Sequence, residues 1–450
     1  MADGRRRLRP VFPALWLSLR AVYVLLGLAL ILALASVVPV LLYVDTCAAV
    51  VALALALADW VLGPAPGVLR VARRSLPLLA LGREATVTYE VDNRAALAVR
   101  VGIFETPVPA IRFGAPACEA ELAARTRSTL EFACVPRERG RVRFGALYVW
   151  AENRIGLLRR RYRVEAGEDA RVFPDLSAVD GHGTLAKRST LVDAGLRRLR
   201  LRGAGTEFES LRDYQAGDAF RLVDWKATAR RGRTMVAQYE VERSQNVMLV
   251  LDCGRAMIPR IGRARKLDYA LTAALSMARV AQSADDNIGL LAFAAAPLVS
   301  IAPRRGAAHV NALAQASFDL RARFEEPDYE QTFTALRRRL SKRSLVVLLT
   351  DIFDPVTSAA VLSGLATLVP RHLVMCVLMN DAAIAAAREA EPKTPAEAYR
   401  TAVAMTLADE RAEAIAVLRA RGIIVVDVAA PQLTLALLDA YLDVKARGRL

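Results

Sequence analysis

Apolar positions fall into three textures along the chain. Residues 21–44 read AVYVLLGLALILALASVVPVLLYV, a run of 24 without a charge, long enough as a helix to cross ~30 Å of bilayer hydrocarbon. After Asp45 a second uncharged run covers 46–58, and after Asp59 it closes with Trp60, Val61 and Leu62. Pro39 sits where the tip of a hairpin would start, so 1–67 is expected to be a basic segment followed by a transmembrane helical hairpin. Past Pro64, Ala65, Pro66 and Gly67 the pattern switches to period two. Residues 86–91 alternate, and short runs follow at 97–104, 128–135, 141–150, 157–164 and 170–173, separated by Gly, Pro and Asn. Short alternating strands between turn signals predict an all-β, sandwich-like domain over 68–175.

Beyond a connecting segment (176–244) the texture changes again. Continuous apolar runs at 246–251, 287–293, 344–351, 372–378 and 423–428 fit strands buried on both faces. Helical patterns at 265–283, 309–317 and 329–341 separate them. Strands alternating with helices predict right-handed crossovers and a doubly wound α/β domain over 245–450, with a mostly parallel sheet.

Charge then sets topology. The chain of 450 residues carries 62 Lys+Arg against 46 Asp+Glu, a net +16, and the apolar excess behind its 54% hydrophobic content is concentrated in the hairpin. Residues 1–83 hold nine arginines against Asp3, Asp45 and Asp59, a net +6, with the arginines outside the two apolar runs. The positive-inside rule puts both ends of the hairpin, and the domains that follow, in the cytoplasm, anchored to the inner membrane. A single span with an exported remainder is the alternative. The run Arg159-Arg160-Arg161 reads as solvated strand charge, because no aromatic interleaving of the single-strand-binding type accompanies it.

The familiar chemistries lack their residues. Five cysteines are scattered without a CxxC pair, and none of the three histidines stands at HxxxH spacing, which excludes a disulfide framework and histidine-based zinc catalysis. There is no GxxxxGK(S/T) loop and no GxSxG elbow, and Gly203-Ala204-Gly205 runs into Thr206-Glu207-Phe208 without completing a dinucleotide fingerprint. Two acids do fall where α/β sheets bind ligands, beyond the carboxyl ends of strands: Asp252 and Asp351.

The most distinctive segment is 205–230, GTEFESLRDYQAGDAFRLVDWKATAR. Glu207, Asp213, Asp218 and Asp224 interleave with Arg212, Arg221, Lys226 and Arg230 around Phe208, Tyr214 and Trp225, which are expected to anchor the segment, so that losing Trp225 would destabilise the junction. Arginine forks bridge carboxylates bidentately, so an ion-pair network locking the segment between the domains is expected. A hydrolase using Glu207, Asp218 or Asp224 is the sharper alternative, but nearby cations would keep those carboxylates ionised.

This segment resembles the signature of the bacterial domain of unknown function 58 family. The likeness continues through Asp252-Cys253-Gly254-Arg255-Ala256-Met257, Lys266-Leu267-Asp268, Asp328-Tyr329, the strand ending at Asp351, and the closing Tyr441-Leu442-Asp443-Val444-Lys445-Ala446-Arg447-Gly448. The resemblance implies a membrane-anchored protein with a von Willebrand factor A-like domain and no established enzymatic activity. It also implies a MoxR-type AAA+ ATPase as partner, since genes of the two kinds tend to be neighbours. Von Willebrand A-like domains usually hold Mg²⁺ with a D-x-S-x-S loop, a Thr and a second Asp. Asp252 and Asp351 match the two acids, but Gly254 and Ala256 stand where the serines belong, and Glu326-Pro327-Asp328 occupies the region of the Thr. A site without metal, with Arg255 neutralising the carboxylates, is therefore expected, and the binding face is drawn around Asp252, Arg255, Asp328 and Asp351. No cofactor is expected. The function expected is a membrane scaffold or adaptor binding other proteins, rather than an enzyme or an electrostatic binder of nucleic acid or anionic lipid.

Overall fold

A computed structural model describes residues 9–449 except 66, 75, 77, 177–206, 216, 217, 219, 241–244, 353 and 354. Gly203, Ala204 and Gly205, with most of the first half of the connecting segment, lie outside the described residues. Contacts divide the chain into Met1–Phe173 and Pro174–Leu450.

The first unit opens with strand β1 (Arg9–Leu17) and helices α1 (Leu19–Ala35) and α2 (Leu41–Leu62). The apolar run of 21–44 does not form one helix. Backbone before a proline is steered away from the helical region, and the turn falls at 36–40, around Pro39, so Asp45 lies inside α2 rather than before it. Helix α2 is long and apolar enough to cross a membrane, about 33 Å at 1.5 Å per residue. Helix α1 has 17 residues and reaches about 26 Å.

After the helices come β2 (Leu69–Arg73), β3 (Leu79–Ala80), β4 (Ala85–Asn93), β5 (Val99–Glu105), β6 (Ile111–Phe113), β7 (Cys118–Leu122), β8 (Arg127–Pro136), β9 (Gly140–Phe144), β10 (Leu147–Asn153), β11 (Leu158–Val164) and β12 (Glu168–Phe173). Three sheets form, in the orders β1-β11-β10-β5-β7, β2-β4-β8-β6 and β3-β12-β9. Their inward residues, among them Val87, Tyr89, Val101, Ile103, Val149 and Tyr162, share one buried core. The period-two pattern places these residues, since alternate side chains of a strand share a face. Strand β1 was not legible: Pro10 and Pro13 argue against a strand, and the chain pairs there only at a sheet edge, with a register irregularity between Pro10 and Leu15.

Both ends of the helical pair are tied to the turn between β10 and β11. Ser18, the N-cap of α1, donates its N–H to the Leu157 carbonyl at 2.9 Å and its hydroxyl to the Gly156 carbonyl. The buried Asp59 carboxylate accepts the N–H groups of Leu157 and Leu158 at 2.7 and 2.6 Å.

In the second unit, β13 (Glu207–Asp213) and β14 (Met235–Glu240) pair as an antiparallel ribbon with helix α3 (Trp225–Arg231) between them. The α/β region follows: β15 (Asn246–Asp252), β16 (Arg260–Ile261), β17 (Ala264–Arg265), α4 (Lys266–Ser283), β18 (Asn287–Phe293), β19 (Pro297–Arg304), α5 (Ala307–Ser317), α6 (Tyr329–Arg339), β20 (Ser344–Thr350), α7 (Pro355–Ala366), β21 (Leu373–Asn380), α8 (Ala382–Glu389), α9 (Pro395–Ala420), β22 (Ile424–Ala429) and α10 (Leu433–Ala446). The main sheet runs β19-β18-β15-β20-β21-β22, parallel except for the antiparallel edge strand β19. Its two faces bury separate cores. Val247, Leu249 and Leu251 meet α4, α5 and α10, whereas Met248 and Val250 meet α6, α7 and α9. Covering both faces explains the continuous apolar runs.

Candidate functional site

From β15 the chain passes through α4 to β18 on one side, then reaches β20 on the other. The strand order therefore reverses between β15 and β20, and the crevice beyond their carboxyl ends is where such sheets place ligands. Asp252 ends β15 and is fully buried. Its Oδ1 accepts the Gly254 N–H at 2.7 Å, and its Oδ2 accepts the hydroxyls of Tyr329 and Thr350, both at 2.6 Å. Burial pushes the Asp252 carboxyl above its ordinary range, against the pull of the three donors.

Asp351, one residue past β20, is also buried, yet it has two cations. Lys266, at the start of α4, donates its ammonium to Oδ2, and Arg411 on α9 donates to Oδ1 at 2.7 Å. Arg411 also reaches the Ile352 carbonyl at 2.7 Å and Asp427 on β22 at 2.9 Å. A chain of alternating charge, Lys266–Asp351–Arg411–Asp427, thus crosses the ends of β20 and β22. Such a network is tolerated in a low-dielectric interior only because each charge meets a fixed partner.

The sequence expectation gave Arg255 the part of neutralising this pair, but the cations bonded to Asp351 are Lys266 and Arg411. The exposed Arg255 guanidinium points to Glu326 at 2.6 Å, and the cations on Asp351 come from 85 residues upstream and 60 downstream. Asp328 is an N-cap: its carboxylate accepts the Gln331 N–H at 2.9 Å at the start of α6. Gly254 lies under the 325–327 loop, where an added Cβ would stand 2.3 Å from Pro327 Cγ. A serine therefore cannot take this position without moving the loop. Among the described residues no group of three or more His, Cys, Asp or Glu is arranged to hold a metal ion.

The 205–230 segment is organised locally. Arg212 grips Asp218 with both terminal nitrogens, at 2.7 and 2.6 Å, while the Gln215 N–H donates to the same carboxylate at 2.8 Å. The Arg212 fork, helped by that N–H, holds the Asp218 carboxyl down to about 2. Asp224 is the N-cap of α3 and accepts the N–H groups of Lys226 and Ala227 at 3.0 and 2.9 Å. Asp213 makes an exposed pair with Arg233 at 3.0 Å. Arg230 is exposed in the last turn of α3, where the helix dipole favours a cation. The side chains of Glu207, Phe208 and Arg221 lie outside the described residues.

Trp225 is not the buried anchor expected of it. It is 60% exposed and packs its ring 5.5 Å from that of Phe220, itself 68% exposed. Tyr214 is exposed as well.

Sequence reasoning missed Thr350, Tyr329, Lys266, Arg411 and Asp427 as parts of the strand-end cluster. Lys266 and Tyr329 stand inside motifs already singled out, but Arg411 and Asp427 carry no local signal. The closing motif also gains a physical role. Tyr441 and Lys445, one helical turn apart on α10, clasp the buried Asp286 at 2.5 and 2.8 Å.

Uncharacterised proteins of Mycobacterium tuberculosis and Mycobacterium bovis are each 26% identical over 186 residues, covering 40% of this chain and 56% of the relative. The chain thus spans about half the length of these curated relatives. An uncharacterised Bacillus subtilis protein, YeaD, is 46% identical over 43 residues, 10% of this chain and 11% of its own. Among solved structures, a human ASH/PapD-like domain covers 23% of this chain and 86% of itself, at 13% identity and a TM-score of 0.18. A CARDB domain from Pyrococcus furiosus covers 24% and 94%, at 15% identity and a TM-score of 0.16. Scores this low assign no fold. The family described as protein of unknown function DUF58 matches residues 210–425, from the 205–230 segment through the strand-end cluster to β22.

Proposed function

We propose that the chain is a membrane-tethered adaptor: a hairpin of α1 and α2 holds it in the inner membrane, and a von Willebrand A-like α/β domain, with the 205–230 segment beside it in sequence, receives a MoxR-type AAA+ ATPase on the cytoplasmic side. The observation that carries this reading is the exposed Phe220–Trp225 pair in the signature segment. Exposed aromatic rings held by a rigid local frame are the usual anchors of protein interfaces. The frame here is the Asp224 cap and the Arg212–Asp218 fork.

A hydrolytic reading has little to work with. Asp218 is held ionised by its arginine and Asp224 is committed to a helix cap, while Asp252 and Asp351 are buried and saturated with protein donors. The same saturation supports a binding face that needs no Mg²⁺.

The test is reconstitution of the full chain with a purified MoxR-type ATPase from the same cell. Association that survives chelation and is lost in Phe220→Ala/Trp225→Ala is expected. Association untouched by the double change would remove the segment from the interface. Reporter fusions at residue 68 and at the C-terminus should both read cytoplasm, and an exported C-terminus would overturn the topology.

A further inference from the structure

The first unit contains a cavity that the adaptor reading does not use. It has a volume of about 770 Å³ and opens beneath the 107–116 stretch that joins β5 to β7. That size lies within the roughly 300–1,000 Å³ of small-molecule sites. Its walls are apolar: Val108, Phe113, Phe132 and Trp150 line it, with the Phe113 and Phe132 rings stacked at 5.2 Å. Three of its lining residues, Arg112, Arg137 and Arg161, are exposed cations. Arg112 and Arg161 pair with no carboxylate among the described residues. The one acid in the lining, Glu105, is already taken by the buried Arg73 at 2.7 Å and by the Tyr89 hydroxyl at 2.7 Å. The cavity therefore combines an apolar interior with an uncompensated positive rim.

Its position relative to the helices says where an occupant would come from. The Arg161 guanidinium lies 3.8 Å from the centre of the Trp16 ring, and Trp16 stands two residues before Ser18, the cap of α1. Arg161 is also three residues along β11 from Leu158, whose N–H is held by Asp59 near the end of α2, a distance of about 10 Å at 3.3 Å per residue. A Trp stacked on an Arg at the root of apolar helices is the composition of a membrane interface, and arginines there attract anionic headgroups.

We propose that this cavity binds an anionic phospholipid drawn from the bilayer that α1 and α2 enter, its acyl chain among Val108, Phe113, Phe132 and Trp150 and its phosphate on Arg112 and Arg161. The proposal rests on the membrane placement stated above, and assigns the β-rich domain a lipid-sensing task separate from partner recognition.

The full chain is reconstituted in phosphatidylcholine nanodiscs and titrated by calorimetry with water-soluble, short-chain phosphatidylglycerol, against empty discs as blank. Short-chain phosphatidylcholine and glycerol phosphate are run as comparisons. Saturable phosphatidylglycerol binding is expected, with both comparisons weaker by about tenfold or more, because the choline cation is repelled by the two arginines and glycerol phosphate lacks the acyl contacts. Arg112→Gln/Arg161→Gln should weaken phosphatidylglycerol by about tenfold and shrink its advantage over phosphatidylcholine. Ala115→Trp, an exposed loop position on the cavity wall, should abolish binding while the melting profile stays that of the parent. Equal affinity for the two lipids, retention of binding in Ala115→Trp, or glycerol phosphate binding as tightly as the lipid would each overturn the cavity assignment. Release of the chain from membranes by alkaline carbonate would instead overturn the placement on which it rests, so the two failures are told apart.

Discussion

Two charged regions of the second unit both pair acids with bases and behave in opposite ways. At the strand ends, Asp252 and Asp351 are buried and each oxygen has a protein donor. In the 205–230 segment, the ion pairs and the cap lie near the surface and the aromatic rings stand in solvent. Alternating acids and bases therefore do not mark a site by themselves. What separates the regions is the origin of the counter-charge. Arg212 and Asp218 are six residues apart and can meet anywhere the loop forms, whereas Lys266, Asp351 and Arg411 meet only when α4, β20 and α9 are in place. The first arrangement shapes a loop, and the second reports that the domain has folded.

The largest effect expected from breaking this contrast is at Asp351. Asp351→Ala leaves Lys266 and Arg411 buried without their shared carboxylate and should cost about 3–5 kcal/mol in urea unfolding of the full chain. A loss below 1 kcal/mol, measured the same way, would mean water reaches the cluster. Asp252 should come next: Asp252→Ala strands the Tyr329 and Thr350 hydroxyls and the Gly254 N–H, for about 1–3 kcal/mol.

Asp252 also has a pH signature. Its folded-state pKa is raised, chiefly by burial, so the folded chain holds this proton more tightly than the unfolded one. Its contribution is full below the unfolded value of about 3.9 and is lost as pH rises through the folded value. Asp252→Asn should flatten the decline in stability with rising pH above about 4, measured as midpoints across a pH series. Asp218 has the opposite sign. Its folded-state pKa is lowered to about 2, so the Arg212 clasp is present above the unfolded value of about 3.9 and fades as pH falls below it; Arg212→Gln should remove most of that acid dependence and leave the part due to the Gln215 N–H.

Gly254→Ser sharpens the metal question. The side chain would meet the Pro327 ring, and a forced shift of the loop should cost about 1–3 kcal/mol. Calorimetry with Mg²⁺ on this variant should show no tight site, because Asp252 already spends both oxygens on protein donors.

Much of the fold was legible because burial writes itself into periodicity. The runs at 246–251, 287–293 and 344–351 coincide with β15, β18 and β20, since a strand covered on both faces confines polar residues to its ends. Two edge strands, β19 and β1, escaped for the converse reason. β19 has proline at its first position and alternates partly exposed residues, and β1 carries two prolines. At the site, the strand ends located Asp252 and Asp351, but their partners were legible only in part. Lys266 and Tyr329 lie in local motifs, while Arg411 sits on a long, mostly exposed helix whose pattern gives no reason to single it out. Trp225 was misread because an aromatic among charges fits a buried anchor and an exposed contact equally well; only its surroundings decide.

The most direct test of the account is therefore Phe220→Ala/Trp225→Ala in the full chain, read for both stability and association with a MoxR-type ATPase, the proposed partner. With both rings already in solvent, unfolding should move by no more than about 0.5 kcal/mol per substitution, while association falls below detection. A loss of stability approaching that of Asp351→Ala, or a partner still bound at parental affinity, would contradict the assignment of the segment as the recognition surface.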